Sequence, residues 1–365
     1  MGMINEICTF APKSKIKAGE ATKDGQYIFF TSSEDESKKY NDYIYDGEGI
    51  IMGTGGNATL HYYNGKYATS TDCLVLLPDK EIIDCKYLYY FFLSNMSLLE
   101  AGFKGAGLRH TNKKYIGNIE INQIPTKDQQ LRVVSILDTV TSLIVQQQKE
   151  INLLDELIKS RFVEMFGDIV HNTKKWEEKP FSEIATSRLG KMLDSKKQTG
   201  KSSFPYLANF NVQWFEFDFS KLNEMDFDEK DQIEFQLIDG DLLVCEGGEI
   251  GRCAIWHNEI DNCFFQKALH RVRCNTEIII PEYLAWWFKH MCECNGFLDI
   301  EGAKATIAHL PGTKLKKLLV VVPPIELQTL FADFITKVEQ QKSTVQKSIE
   351  KLETLKKSLM QEYFG

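Results

Sequence analysis

The sequence predicts an α+β fold: two similar mixed, β-rich domains separated by two long helices that pair as an antiparallel coiled coil, the whole forming a pseudo-two-fold internal repeat. Three observations predict it. The stretch "INLLDELIKSRFVEMFG" (151–167) returns as "IEKLETLKKSLMQEYFG" (349–365), apolar residues recur every seven positions through both stretches, and the remaining sequence consists of short apolar runs punctuated by glycine turns.

An offset of 198 positions places Pro125 on Pro323, Gln130 on Gln328, Ile151 on Ile349, Leu154 on Leu352 and Phe166 on Phe364. Upstream, with small insertions, "DGEGIIMGTGG" (46–56) answers "DGDLLVCEGGEIG" (239–251), and "EIIDCKYLYYFF" (81–92) answers "EIIIPEYLAWWF" (277–288). "INEIC" (4–8) resembles "FSEIA" (181–185). Each copy is a globular part followed by a long helix.

The first domain, 1–123, reads as strands from "QYIFFTSS", "GIIMGTGG" and "TLHYYNGKYATSTDCLVLLP", with Asn-Gly and Gly-Gly as hairpin signals. Near 84–101 the pattern turns helical, with Tyr87, Leu88, Phe91 and Phe92 on one face. Residues 124–167 form the first long helix, whose seam carries Leu137, Ile144, Ile151, Ile158 and Met165, with Val133, Val140 and Leu154 on the adjoining position. The second domain, 168–322, repeats the first with a longer front end, "YLANFNVQWFEFDFSKLNEMDF". Residues 323–365 form the second helix, with Phe331, Val338, Val345, Leu352 and Leu359 on one seam position and Ile335, Ile349 and Tyr363 on the other. Gln147 and Lys342 interrupt the seams, a device that sets register rather than stability. A helix of about 40 residues spans ~60 Å at most, so the expectation is a ruler between two similar but non-identical heads.

Length and composition constrain the class. A chain of 365 residues has ample core for two domains, no apolar run long enough to cross a bilayer and no signal-like start, which leads to the expectation of a soluble cytoplasmic protein. Nine cysteines without a C-x-x-C pair suit buried thiols in a reducing compartment better than disulfides or a zinc site, and no metal ligands are assigned. The net charge of −8 excludes a uniformly basic nucleic-acid coat but not local basic faces.

Two unlike heads on a rod suit duplex DNA read at two separated, asymmetric half-sites. The proline-led "IPTKDQQLRVVSILD" and "VPPIELQTLFADFI", the "EMFG" and "EYFG" endings, and "GDLLVCEGGEIGRCAIW" followed by "FFQKALHRV" together resemble the DNA-specificity subunit of type I restriction-modification systems, over essentially the whole chain. The resemblance implies two target-recognition domains, each reading half of a bipartite site, and a helix pair that fixes the unread spacer. It also implies double-stranded DNA, two methyltransferase subunits and restriction/translocation subunits as partners, in a bacterial or archaeal cytoplasm. The partner would methylate adenine with S-adenosylmethionine, and this chain would hold no cofactor. The first domain's "GTGGNATLHYYNG" follows "EGGEIGRCAIW" only loosely. The alternative class is a duplicated, non-catalytic protein-interaction scaffold, which the acidic charge would suit.

Specific motifs sort as follows. "GTGGNAT" (53–59) lacks the Lys-Ser/Thr of a phosphate loop and reads better as a glycine-rich turn that lets backbone approach DNA, with Thr54, Asn57 and Thr59 in reach. "PDKEIIDCK" (78–86) has the letters of a metal-dependent nuclease, but its second copy lacks them, and the place is a helix start where acids are expected. "FKGAGLRHTNKKY" (103–115) and "IEGAKATIAHLPGTKLKK" (300–317) occupy equivalent places and combine Gly, Thr, His and basic residues, the donor set for phosphate and guanine. Lys104, Arg109, Thr111, Lys113, Lys304 and Thr306 are the candidates there, against a plain solvated turn. Arg252, Gln266, Lys267 and His270 follow in the second copy, Ser70 and Thr71 being the first-copy counterparts of the last three, and Lys191, Lys196 and Lys197 offer looser phosphate contacts, against an equally good reading as a plain solvated loop. The chain has neither an Asn/Asp-Pro-Pro-Tyr/Phe methylation motif nor an ATP-binding loop, which fits a recognition subunit that is not itself an enzyme. Leu153 and Ile136, outside the seam, are candidates for partner contact.

Overall fold

The computed structural model describes residues 2–194, 198–297 and 309–365. The chain divides into two compact units, one of Met1–Glu150 with Val345–Gly365, the other of Ile151–Thr344. The boundaries fall inside the long helices Lys127–Phe166 and Ile325–Phe364, so each unit contains the first part of one helix and the last part of the other.

In the first unit a six-stranded sheet runs in the order Cys8–Phe10, Cys73–Pro78, Tyr45–Gly53, Leu60–Thr69, Tyr27–Phe30, Lys39–Tyr40. All neighbours are antiparallel except Tyr27–Phe30 on Leu60–Thr69. The run Ile50, Ile51 and Met52 is continuously apolar because both faces are covered: Ile50 and Met52 pack with Leu76, Leu88 and Phe92, while Ile51 packs with Phe30, Tyr67 and Val75. Asn64-Gly65 is not a turn, contrary to the hairpin expectation. It continues the strand opposite Gly47 and Glu48, because His61 to Tyr63 and Lys66 to Tyr67 pair with one and the same neighbour. The helix Cys85–Ser94 begins at Asp84, whose carboxylate accepts from the backbone N–H of Lys86 and Tyr87. Lys86 pairs with Asp138 at 2.8 Å, and Asp79 accepts from the Glu81 N–H, so the nuclease-like letters of 78–86 are occupied in capping and an ion pair.

The second unit repeats this plan in two sheets. One is ordered Ala185–Leu189, Leu269–Cys274, Leu242–Cys245, Cys253–Ile255, the other Asn223–Asp226, Ser203–Leu207, Phe264–Phe265. The parallel pairing recurs between Ser203–Leu207 and Phe264–Phe265. Even the closing ribbon is duplicated, Gly2–Met3 on Glu120–Ile121 and Glu177–Pro180 on Leu319–Val322.

Two features account for the repeated helix signatures. Gln130 and Gln328 are fully buried near the helix starts and make the same three bonds. Gln130 Oε1 accepts from Asp84 N (2.7 Å) while Nε2 donates to the Ile82 and Pro125 carbonyls; Gln328 Oε1 accepts from Ile280 N (3.1 Å) while Nε2 donates to the Ile278 and Pro323 carbonyls. At the helix ends, Phe166 meets Tyr283 at 4.8 Å between ring centroids and Phe364 meets Tyr87 at 5.2 Å. The "EMFG" and "EYFG" endings are thus aromatic plugs into equivalent domain helices.

Within each unit the helix segments pack antiparallel. In the first, Leu137 packs with Met360, and Gln147 Nε2 donates to Ser348 Oγ at 2.9 Å. In the second, Phe162 and Phe166 meet Phe331, and Lys342 reaches Asp155 at 2.6 Å. Both seam interrupters therefore find polar partners on the facing helix segment. Of the seam residues, Leu137, Leu154, Ile158, Val338, Val345 and Ile349 are buried, whereas Ile144, Ile151, Leu352 and Leu359 are half-buried. All nine cysteines are free thiols, and burial pushes several, such as Cys8 and Cys263, up to about 12. No helix among the described residues is long and apolar enough to cross a membrane.

Candidate nucleic-acid interface

The glycine turn 53–59 joins strands Tyr45–Gly53 and Leu60–Thr69, and the loop 103–111 is laid directly on it. Gly56 N donates to Arg109 O, Thr111 N donates to Thr54 O, and Lys104 and His110 exchange both backbone bonds at 3.0 Å. The structure therefore brings together two of the stretches singled out in the sequence. Glycine is required at two places here: Gly56 holds φ at 82°, and a Cβ on Gly53 would come within 2.9 Å of Ser32 Cα.

The second unit builds the same arrangement. Gly247 bridges His309 as Gly55 bridges His110, Leu310 N donates to Glu246 O as Thr111 N does to Thr54 O, and Gly248 has φ of 80°. Each turn is held by a residue that the sequence reading missed. Ser32 Oγ accepts from Thr54 N (3.1 Å) and Gly55 N (3.3 Å); Asn209 Nδ2 donates to Gly247 O (2.9 Å). Both residues sit two positions after equivalent strands, so the repeat itself could have flagged them.

The two loop stretches sort into outward and inward side chains. Asn57, Lys104, Arg109 and Lys113 are exposed, with His110 and Lys114 beside them, and Arg109 Nη2 donates to Asn57 Oδ1 at 3.3 Å. Leu108 stands 70% exposed within the same basic loop. Thr54, Thr59 and Thr111, expected to reach DNA, are buried instead. The Thr54 hydroxyl donates to Asp72 O, and those of Thr59 and Thr111 lie in the packed seat beneath the loop. Ser70 is likewise buried beside Cys73.

The second-copy candidates need more correction. His270 is buried, its Nε2–H donating to Leu310 O at 2.9 Å, and burial holds its pKa below the ordinary value, so the ring is neutral. Lys191 is turned inward onto Asp231, the Asp226 carbonyl and the face of Phe227. Arg252 donates to the Asn209 carbonyl and side chain and stands 3.9 Å from Glu249, so it braces the turn from below. Gln266 is half-buried and Lys267 is exposed. Lys196, Lys197, Lys304 and Thr306 lie outside the described residues.

What remains outward is a small cationic loop on a rigid, backbone-bonded glycine turn, with amide and guanidinium donors fit for phosphate oxygens and purine edges. The family model "Type I restriction modification DNA specificity domain" matches the chain twice, over residues 1–154 and 173–354. The chain belongs to this family. Each match takes in one glycine-turn domain and most of the helix that follows it. Among curated relatives, the type I restriction enzyme EcoDI specificity subunit of Escherichia coli is 24% identical over 56% of this chain and 45% of its own length. The putative MjaX specificity subunit of Methanocaldococcus jannaschii is 27% identical over 47% of this chain and 41% of its own. The chain thus spans under half the length of these two relatives. A putative specificity subunit of Haemophilus influenzae is 23% identical over 81% of this chain and 76% of its own. The crystal structure of a type I restriction-modification S subunit from M. genitalium shares the fold, with a TM-score of 0.65 at 15% identity, covering 100% of this chain and 95% of that one.

Proposed function

We propose that this specificity-family chain is the DNA-reading subunit of a type I restriction-modification complex and performs no catalysis itself. Each domain reads one half of an asymmetric bipartite site, and the two long helices set the unread gap. The observation that carries the reading is the duplicated site: a glycine turn clasped by a second loop occurs in both copies through the same backbone bonds, at Gly55/His110 and Gly247/His309. In the first copy that clasped loop is basic and exposed. Arg109, Lys104 and Asn57 supply charge-assisted and amide donors, and Lys113 adds a phosphate contact.

The partners that follow are duplex DNA, two adenine methyltransferase subunits carrying S-adenosylmethionine, and restriction/translocation subunits in the full assembly. The net charge of −8 is offset when basic partners close around DNA. Exposed leucines on the helices, among them Leu153, Leu157 and Leu355, supply apolar contact for the methyltransferase subunits. The test is co-expression with a methyltransferase subunit of such a system, followed by genome-wide mapping of methylated adenines. One asymmetric two-part motif with a fixed gap, of which exchanging residues 1–123 changes only one half, is the expected result. A chain that binds the methyltransferase and leaves methylation unchanged under every exchange would refute the reading.

A further inference from the structure

The second domain carries an aromatic hairpin for which the first copy has no sequence counterpart. It lies in "NFNVQWFEFDF" (209–219), where Val212 bridges Phe217 and Gln213 N donates to Glu216 O at 2.9 Å. Its tip is unusual for its residue type: Phe215 holds φ at 66°, a conformation costly for any residue with a bulky side chain and usually left to Gly or Asn. The ring is not hidden as a core residue would be, since Phe215 is 38% exposed. Something other than burial must hold it there.

The contacts of the tip point two ways. Toward the candidate DNA face, Trp214 Nε1 donates to Glu249 Oε1 at 2.8 Å, and Phe215 N donates to Cys253 O at 2.9 Å, so the turn 246–252 is gripped at its centre and just past its far end. Asn209, at the base of the same hairpin, holds Gly247 and accepts from Arg252. Toward the helical side, Phe215 stacks on Trp286 with centroids 4.7 Å apart and planes 19° from parallel, and Lys289 Nζ sits 4.6 Å over Trp214. Trp286 in turn meets Phe162 and Phe331, one from each helix segment of the second unit, at 6.1 Å. A continuous chain of rings thus runs from the helix pair to the acidic residue at the centre of the reading turn.

We propose that Trp214 and Phe215 are positioning residues for base reading by the second domain: the strained aromatic tip fixes the turn 246–252 against the helix pair, so that discrimination at the second half-site depends on residues that touch no DNA. This rests on the reading of that domain as a half-site reader. The physical argument is that a turn carrying two positive-φ glycines, Gly248 and Gly251, has little intrinsic preference for one conformation. Hydrogen bonds from a rigid neighbour supply what the backbone lacks, and sub-ångström placement decides whether a bidentate base contact forms. The first copy holds its turn with the Ser32 hydroxyl and the loop 103–111; the second has the equivalent Asn209 and Leu310 bonds and adds the aromatic hairpin to them.

The experiment uses the full chain co-expressed with its methyltransferase subunit, reading the methylated fraction at sites carrying single-base changes in either half. Trp214→Phe keeps the ring and removes the donor to Glu249, Phe215→Gly accepts the positive φ and removes the stack, and Phe215→Tyr keeps both. Glu249→Ala removes the acceptor at an exposed position, where folding is not at stake. Trp214→Phe, Phe215→Gly and Glu249→Ala are expected to lose about tenfold in discrimination at the second half, the size of one base contact, with the first half unchanged and Phe215→Tyr like wild type. Undiminished discrimination in these variants, or an equal loss in both halves, would overturn the proposal. A wild-type complex that discriminates no sequence at all would instead overturn the half-site reading beneath it.

Discussion

Replacing Gln130 by leucine probes how the first long helix is anchored to its domain. Leucine matches the volume and would be favoured by the apolar surroundings, yet it strands three backbone groups at once: the Asp84 N–H, 2.7 Å from Oε1, and the Ile82 and Pro125 carbonyls, 3.1 and 2.8 Å from Nε2. The site is fully buried, so water does not replace these bonds. Each orphaned buried group costs about 1–3 kcal/mol, and leucine burial returns about 2 kcal/mol, which leaves a net loss of about 3 kcal/mol. Urea unfolding followed by circular dichroism, with Gln148→Leu at an exposed helix position as control, measures it. For a unit of this size the same loss lowers its thermal midpoint by about 10 °C. Gln328→Leu should do the same in the other unit, since its three bonds are the same. A loss below about 1 kcal/mol in both variants would refute the idea that these glutamines latch the helices to the domains.

Three further outcomes follow from the geometry. Gln147→Leu restores the heptad and removes a buried, unpartnered Oε1, so it should raise stability by about 1 kcal/mol in urea titrations while loosening helix register, detectable by cysteine cross-linking across the pair. Arg109→Ala should weaken binding of the assembled complex to DNA by about tenfold and lower the slope of log affinity against log salt by about 1, measured by fluorescence anisotropy. His270 and His290 both have pKa values held below the ordinary 6.5, first of all by burial, so the unfolded chain binds protons that the folded chain refuses. Stability is then fully present above about pH 6.5 and falls as pH drops from there, and His270→Gln should flatten the dependence between pH 5 and 7 in thermal melts.

Much of the architecture was legible because the chain states it twice. The ungapped offset between Gln130 and Gln328 located both latches, and the heptad period located both helices, since periodic burial writes itself into sequence spacing. The glycine turn and the basic loop were each visible as separate motifs, each with a counterpart in the second copy. Which side chains face outward was not visible. Thr54, Thr59 and Thr111 look like donors in a polar loop, but irregular backbone has no period from which facing can be read. Lys191 looked free because its acidic partner Asp231 lies 40 positions away. Asn64-Gly65 looked like a turn because local preference favours one, and long-range pairing on both sides overrode it.

The sequence by itself determined the duplication, the two helices and their seams, and the family to which both copies point, because these rest on composition and spacing that local physics enforces. Tertiary structure alone decided that the loop 103–111 closes on the turn 53–59, that Ser32 and Asn209 hold equivalent turns, and that Phe215 spends backbone strain on stacking over Trp286. Those choices depend on contacts between residues tens of positions apart, and only the folded chain brings their atoms within bonding distance.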